Sequence, residues 1–135
     1  MARILLTEDD DAVQAFVARA LQMDGHTVIT ADDGEDGYDR IIEHDGEFDL
    51  LLSDIKMPFM DGIELAQTVA KHFPHMPILL MTGYADQRER ADGVNAVVVD
   101  VINKPFSLAE IRSAVKRALA ASVTEVQKER LLKLA

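Results

Sequence analysis

The 135-residue chain contains no cysteine and no tryptophan. Without cysteine there is no disulfide framework and no thiol chemistry, and a cytoplasmic location is the default expectation. No apolar run approaches the roughly 18 residues that a membrane-spanning helix needs, and the first residues do not have the layout of a signal peptide. Basic residues are scarce: 14 Lys and Arg stand against 24 Asp and Glu, for a formal net charge of −10. This balance argues against a nucleic-acid-binding surface.

The rest of the composition is that of a folded domain. Hydrophobic residues make up 48% of the chain and charged residues 28%, which is typical of globular proteins, and the length suits a single core. We expect residues 1–121 to form the domain and residues 122–135 to be appended. An amphipathic helix and a flexible tail both fit this appended segment, and the sequence leaves that choice open.

Short apolar segments alternate with amphipathic ones along the chain. The expected strands cover residues 4–6, 26–31, 50–54, 78–82 and 96–102, and the expected helices cover 12–23, 35–44, 61–73, 86–91 and a stretch after 107. This alternation predicts an α/β fold, a doubly wound five-stranded parallel sheet with helices on both faces. Ser107 and Glu110 have the spacing of a capping box. We expect Phe16 and Ile42 to belong to the buried stripes of their helices.

The stretch from Leu50 to Pro58 is the centre of the pattern. Three leucines and Ser53 follow one another without alternating polar residues, which predicts a strand buried on both faces. Asp54 comes where this strand should end, and ligands bind at the carboxyl ends of strands in parallel α/β sheets. Pro58 disfavours an immediate helix, and Asp61 then opens the next one. We therefore expect a short loop here whose backbone carbonyls face a ligand.

Other polar side chains follow the neighbouring strands. Glu8 and Asp9 come after the first strand, Thr82 after the fourth and Lys104 after the fifth. Carboxylates gathered at one edge repel each other by about 1–4 kcal/mol per pair, which a cation would relieve, and an all-oxygen set suits Mg²⁺ or Mn²⁺. With a lysine and a hydroxyl for a bound anion, the set predicts a phosphoryl-transfer site in which Asp54 is the nucleophile.

These residues resemble the receiver domain of two-component response regulators, over about residues 2–121. The resemblance depends on Glu8-Asp9, on Asp54-Ile55-Lys56-Met57-Pro58 with Asp61-Gly62, on Thr82-Gly83, and on Lys104-Pro105-Phe106. It implies a flavodoxin-like, CheY-like fold with strand order 2-1-3-4-5. It also implies a signalling protein, not an enzyme, that accepts a phosphoryl group from a histidine kinase or a phosphotransfer protein.

The resemblance assigns roles to the acidic residues. Asp54 would accept the phosphoryl group. Asp9 and Asp54 would bind Mg²⁺ directly, Lys56 would supply its backbone carbonyl, and Glu8 would act through a water molecule.

The resemblance also suggests how the site would switch. Thr82 and Lys104 would bind phosphoryl oxygens, and we expect the Lys104 ammonium to close the site only when a phosphoryl group is present. The position three before the lysine is usually aromatic in receivers, but here it is Val101. Tyr84, two residues after Thr82, is therefore a second candidate switch residue beside Val101.

Within the family, the opening Leu-Leu-Thr-Glu-Asp-Asp, the run Met-Thr-Gly-Tyr-Ala-Asp and Val101 resemble the CpdR type, small stand-alone receivers. This narrower resemblance implies control of the ClpXP protease in the bacterial cell cycle, with ClpX as the expected downstream partner. A phosphorelay intermediate and a chemotaxis-type single-domain receiver are the alternatives. A metal-dependent phosphatase would want an acid two residues after Asp54, where Lys56 stands. A flavin-binding electron carrier would need a phosphate-binding loop in place of the acids at residues 8–11.

Overall fold

The computed structural model describes residues 1–83 and 97–120. Five parallel strands form one sheet in the order β2-β1-β3-β4-β5. The strands are β1 Arg3–Thr7, β2 Thr27–Ala31, β3 Leu50–Asp54, β4 Ile78–Thr82 and β5 Asp100–Asn103. The helices are α1 Asp11–Met23, α2 Gly34–Glu43, α3 Gly62–His72, and the C-terminal helix, which covers residues 108–120. The predicted fold class and strand order are confirmed, whereas the predicted helix at 86–91 and the segment 122–135 lie outside the described residues.

Each inner strand is buried on both faces of the sheet. Leu5, Leu51 and Leu80 pack on one side with α2 and α3. Their neighbours Leu6 and Leu52 pack on the other side with α1 and the C-terminal helix. Since successive strand residues point to opposite faces, two apolar layers explain the unbroken leucine runs.

Acidic and hydroxyl side chains determine where the helices begin. Asp10 Oδ1 accepts hydrogen bonds from the backbone N–H groups of Ala12 at 2.9 Å and Val13 at 3.1 Å. Ser107 and Glu110 form the predicted capping box, with reciprocal bonds of 3.0 and 3.1 Å. These caps satisfy N–H groups that the first helical turn leaves without partners.

Two predictions of burial on the helices are wrong. Phe16 is 42% exposed and Ile42 is 50% exposed. On α2 the fully buried position belongs to Ile41, and the next residue is rotated by about 100° to the outside of the helix. On α1 the side chain of Phe16 lines an open cleft instead of the core.

The fifth strand is shorter than predicted. It begins at Asp100, which pairs with Leu79 of β4, and not at the preceding valines. Val97 and Val99 are each 37% exposed. Within the described sheet β5 is an edge strand with β4 as its single neighbour. It can therefore form strand pairs only alongside the residues of β4. No helix within residues 1–83 and 97–120 combines the length and the apolar character that crossing a membrane requires.

Candidate functional site

Three carboxylates meet at the carboxyl end of the sheet. The pairing of Thr7 with Ser53 places the residues that follow β1 beside the end of β3. Glu8, Asp9 and Asp54 each offer one carboxylate oxygen, and these oxygens all lie within 4.8 Å of one another. Glu8 is 1% exposed and Asp54 6% exposed, whereas Asp9 is exposed. The structure thus brings together the three acids that the sequence analysis selected.

Lys104 pairs with two of these acids. Its Nζ lies 2.9 Å from Glu8 Oε2 and 3.2 Å from Asp54 Oδ2. The backbone N–H of Lys104 donates to Thr82 O at 2.7 Å, which continues the β4–β5 alignment to this residue. The expectation that the ammonium closes the site only around a phosphoryl group is therefore wrong, because the buried carboxylates already attract it.

The charges in this cluster influence one another. Burial raises the pKa of Glu8, and the nearby charge of Asp54 adds to that rise, while Lys104 opposes it. Burial also raises the pKa of Asp54, against the opposing charge of Lys104. For Lys104, burial favours a lower pKa, but the hydrogen bond to Glu8 and the two carboxylate charges outweigh it, so its pKa is raised. One lysine therefore offsets only part of the negative charge.

A buried hydroxyl chain fixes the backbone of Asp54. Thr7 Oγ1 donates to Ser53 Oγ, which donates to the backbone carbonyl of Asp54 at 2.9 Å. The Ile55 N–H donates to Asp54 Oδ1 at 3.0 Å and so orients the carboxylate. This hydroxyl chain was not predicted from the sequence, although a hydroxyl residue near the end of each of two adjacent apolar strands is a signal that the sequence contains.

The amide of Gln14 was also missed. Its Nε2 donates to Glu8 O at 2.9 Å, to Ala31 O at 3.2 Å and to Asp32 Oδ1 at 3.1 Å. All three partners are acceptors, so the nitrogen must face them. Gln14 therefore connects the backbone beside the acids to the end of β2.

The remaining predicted site residues lie close to this edge of the sheet, so far as they are described. Thr82 is the last residue of β4 and is 2% exposed. Lys56 is exposed and lines the same cleft as the acids. Val101, opposite Leu80 in β5, packs half-buried against the cluster on the α2–α3 side of the sheet. Tyr84 lies outside the described residues.

The acids and Lys104 form the floor of an open cleft of about 770 Å³. Its apolar wall comes from α1 and from the loop after β5, through Ala12, Val13, Phe16, Pro105 and Phe106. A polar floor beside an apolar wall is a common property of sites that bind a partner or ligand.

The donor set of this floor fits a hard divalent cation. Each of the three acids supplies oxygen, and the exposed Asp9 leaves one side open for water or a ligand. Mg²⁺ and Mn²⁺ prefer such carboxylate sets and keep several waters, whereas zinc sites favour nitrogen and sulfur. The residues present therefore fit Mg²⁺ or Mn²⁺.

Comparison with known proteins agrees with this geometry. The family model of the response regulator receiver domain matches residues 4–116. The chain belongs to the response regulator receiver family. Receivers are signalling modules of two-component systems, which agrees with the functional class expected from the sequence.

Two relatives and one solved structure show how far the likeness extends. The receiver is 38% identical over 122 residues to the response regulator receiver protein CpdR of Brucella abortus (strain 2308), covering 90% of this chain and 100% of CpdR. It is 36% identical over 118 residues to the sensor kinase CckA of the same strain, covering 87% of this chain but only 12% of CckA. A CheY-like receiver domain protein from Methanospirillum hungatei JF-1 has a TM-score of 0.83 at 30% identity, covering 93% and 98% of the two chains. The expected resemblance to CpdR is confirmed.

Proposed function

We propose that Asp54 is the phosphoacceptor of this receiver. The observation that carries the proposal is the convergence of Asp54, Glu8 and Asp9 with the ammonium of Lys104 at the end of a buried strand. The phosphoryl donor is a phosphohistidine of a histidine kinase or of a phosphotransfer protein. A carboxylate oxygen of Asp54 forms the new P–O bond while the P–N bond breaks, and the bonding electron pair returns to the imidazole nitrogen.

The surrounding residues hold the reacting groups. Asp9, Asp54 and the backbone carbonyl of Lys56 would hold the divalent ion directly, and Glu8 would hold it through water. The ion, when bound, supplies positive charge that offsets the charge on the transferred phosphoryl group.

The phosphoryl oxygens would be bound by two other side chains, the Thr82 hydroxyl and the Lys104 ammonium. Lys104 already contacts Glu8 and Asp54, and we propose that it exchanges part of those contacts for the new oxygens. This exchange connects phosphorylation to a change in the loop after β5.

The output of the receiver is a change in its affinity for another protein. A chain with a net charge of −10 is poorly suited to bind nucleic acid directly. Tyr84 and Val101 are the proposed switch residues. By its likeness to CpdR, the proposed partner is the ClpX unfoldase or a protein associated with it, so that phosphorylation regulates ClpXP proteolysis.

Phosphorylation with a small donor tests the acceptor. Wild type, Asp54→Ala and the control Asp39→Ala, which removes an exposed acid of α2, are incubated with Mg²⁺ and acetyl phosphate and mapped by mass spectrometry. Wild type and Asp39→Ala should gain one phosphoryl group on Asp54, and Asp54→Ala should gain none. An adduct that persists in Asp54→Ala would contradict the assignment. Binding of ClpX with and without beryllofluoride tests the partner: absence of binding in both states would exclude ClpX, and equal affinity in both states would exclude control by phosphorylation.

A further inference from the structure

The loop that follows Asp54 contacts α2 through its backbone. We name residues 55–61, between β3 and α3, the acceptor loop. The N–H of Gly34, the first residue of α2, donates to the carbonyl of Met60 in this loop at 3.1 Å. A Cβ placed on Gly34 would lie 2.1 Å from that carbonyl oxygen and 2.8 Å from its carbon. The approach is too close for any residue other than glycine, unless the loop moves.

The acceptor loop is also closed at its base. The Gly62 N–H donates to Ile55 O at 2.8 Å, and a Cβ on Gly62 would lie 2.1 Å from the carbonyl oxygen of Asp54. Between these points the chain turns through Phe59, whose φ is 66°. The Ile55 N–H also donates to Met81 O of β4 at 3.0 Å, and near Met60 the loop touches the buried Gly34. The contact with the first residue of α2 is therefore one of the points that fix the path of the loop past Lys56.

We propose that Gly34 is a positioning residue for the metal site. Its backbone holds Met60, and so helps to hold the acceptor loop in the path from which the Lys56 carbonyl would reach the divalent ion. This inference rests on the proposed function, since it takes that carbonyl as a ligand of the divalent ion. Groups behind the direct ligands typically change metal affinity by about 10–100-fold when they are removed.

Substitution of two glycines tests the proposal. Gly34→Ala adds one methyl group against Met60. The control Gly46→Ala adds the same group in the turn before β3, 2.4 Å from the Phe73 ring and at a φ of 72°, so it is destabilising without touching the acceptor loop. Mg²⁺ affinity is measured by calorimetry and by amide shifts, under conditions where denaturation curves show both variants to be folded. Gly34→Ala should bind Mg²⁺ about tenfold more weakly or worse, and Gly46→Ala should bind it like wild type. Equal affinities in the two variants would overturn the positioning role.

Hydrogen exchange of the wild-type protein provides a second test that needs no Gly34 variant. If the loop and α2 are coupled, Mg²⁺ should slow exchange of the Gly34 N–H, whose acceptor is Met60 O, and the same addition should have no effect in Asp9→Asn. Unchanged exchange at Gly34 in wild type saturated with Mg²⁺ would refute the coupling. A wild type that fails to bind Mg²⁺ would overturn the proposed metal site and this role together, whereas normal binding in Gly34→Ala would overturn the role alone.

Discussion

Replacing Lys104 by methionine should destabilise the protein in the absence of divalent ions. The substitution keeps most of the aliphatic side chain and removes the charge that contacts Glu8 at 2.9 Å and Asp54 at 3.2 Å. Two of the three remaining carboxylates are almost fully buried, and all three stay within 4.8 Å of one another. The variant therefore retains the repulsion among the three carboxylates and loses the positive charge that offsets it.

The size of the loss follows from charge and distance. Two unit charges at such a separation repel by about 3 kcal/mol at an effective dielectric constant near 20. Breaking a buried ion pair by removing one partner typically costs about 3–5 kcal/mol. The Lys104 side chain is 22% exposed. Because the pKa of Glu8 is raised, its carboxylate is protonated more easily, which removes part of the repulsion. Both facts reduce the cost, so we expect the free energy of unfolding to fall by about 2–4 kcal/mol.

Denaturant unfolding followed by circular dichroism measures this loss, first with a chelator and then with saturating Mg²⁺. Mg²⁺ should stabilise Lys104→Met more than wild type, because the ion replaces the missing positive charge. Lys71→Met, at an exposed position of α3, is the matched control. Adding Glu8→Gln to Lys104→Met should recover most of the lost stability. Equal stability of Lys104→Met and Lys71→Met in chelator would show that the Lys104 charge does not offset the repulsion among the acids.

Two further predictions concern positions outside the acid cluster. Phe59 is 81% exposed at a φ of 66°, a conformation that costs most residues about 1–2 kcal/mol but that asparagine tolerates. Phe59→Asn should therefore raise the free energy of unfolding by about 0.5–1 kcal/mol. A decrease of that free energy in a denaturant titration would contradict this. The hydrogen bond from Arg112 holds the pKa of Asp24 below its usual 3.8, so the pair stabilises the fold above that pH and loses its effect as the pH falls through the lowered pKa. Arg112→Gln should thus be less stable than wild type near neutral pH, with the difference disappearing in acid, whereas Arg117→Gln, exposed on the same helix, should show no such pH-dependent difference.

The sheet could be predicted because its signals are local. Three consecutive leucines at Leu50 to Leu52 can only be satisfied by burial on both faces, and the structure buries all of them completely. The caps at Asp10 and Ser107 are equally local, since each bonds to N–H groups two or three residues further along the chain. Such patterns need no knowledge of what lies across the fold.

The errors and omissions depend on contacts between distant parts of the chain. Nothing near Phe16 in the sequence shows that its ring lines a cleft opposite the loop after β5. The contact of Gly34 with Met60 joins residues 26 positions apart, and Gly34 alone reads only as a residue of a turn. Lys104 was placed at the correct edge of the sheet, but its pairing with Glu8 follows from the burial of that acid, which residue type does not reveal.

The packing of the strand ends explains how three carboxylates stay close together despite their mutual repulsion. In a mobile loop, three carboxylates would move apart, because separation costs little when no packing is lost. Here Glu8 and Asp54 come within two residues after Leu6 and Leu52, which are completely buried and paired with each other across β1 and β3. Moving the backbones of Glu8 and Asp54 apart would require those strands to separate and both apolar layers to open. The packing of the sheet therefore holds negative charge in place, and a cation bound there would relieve the repulsion.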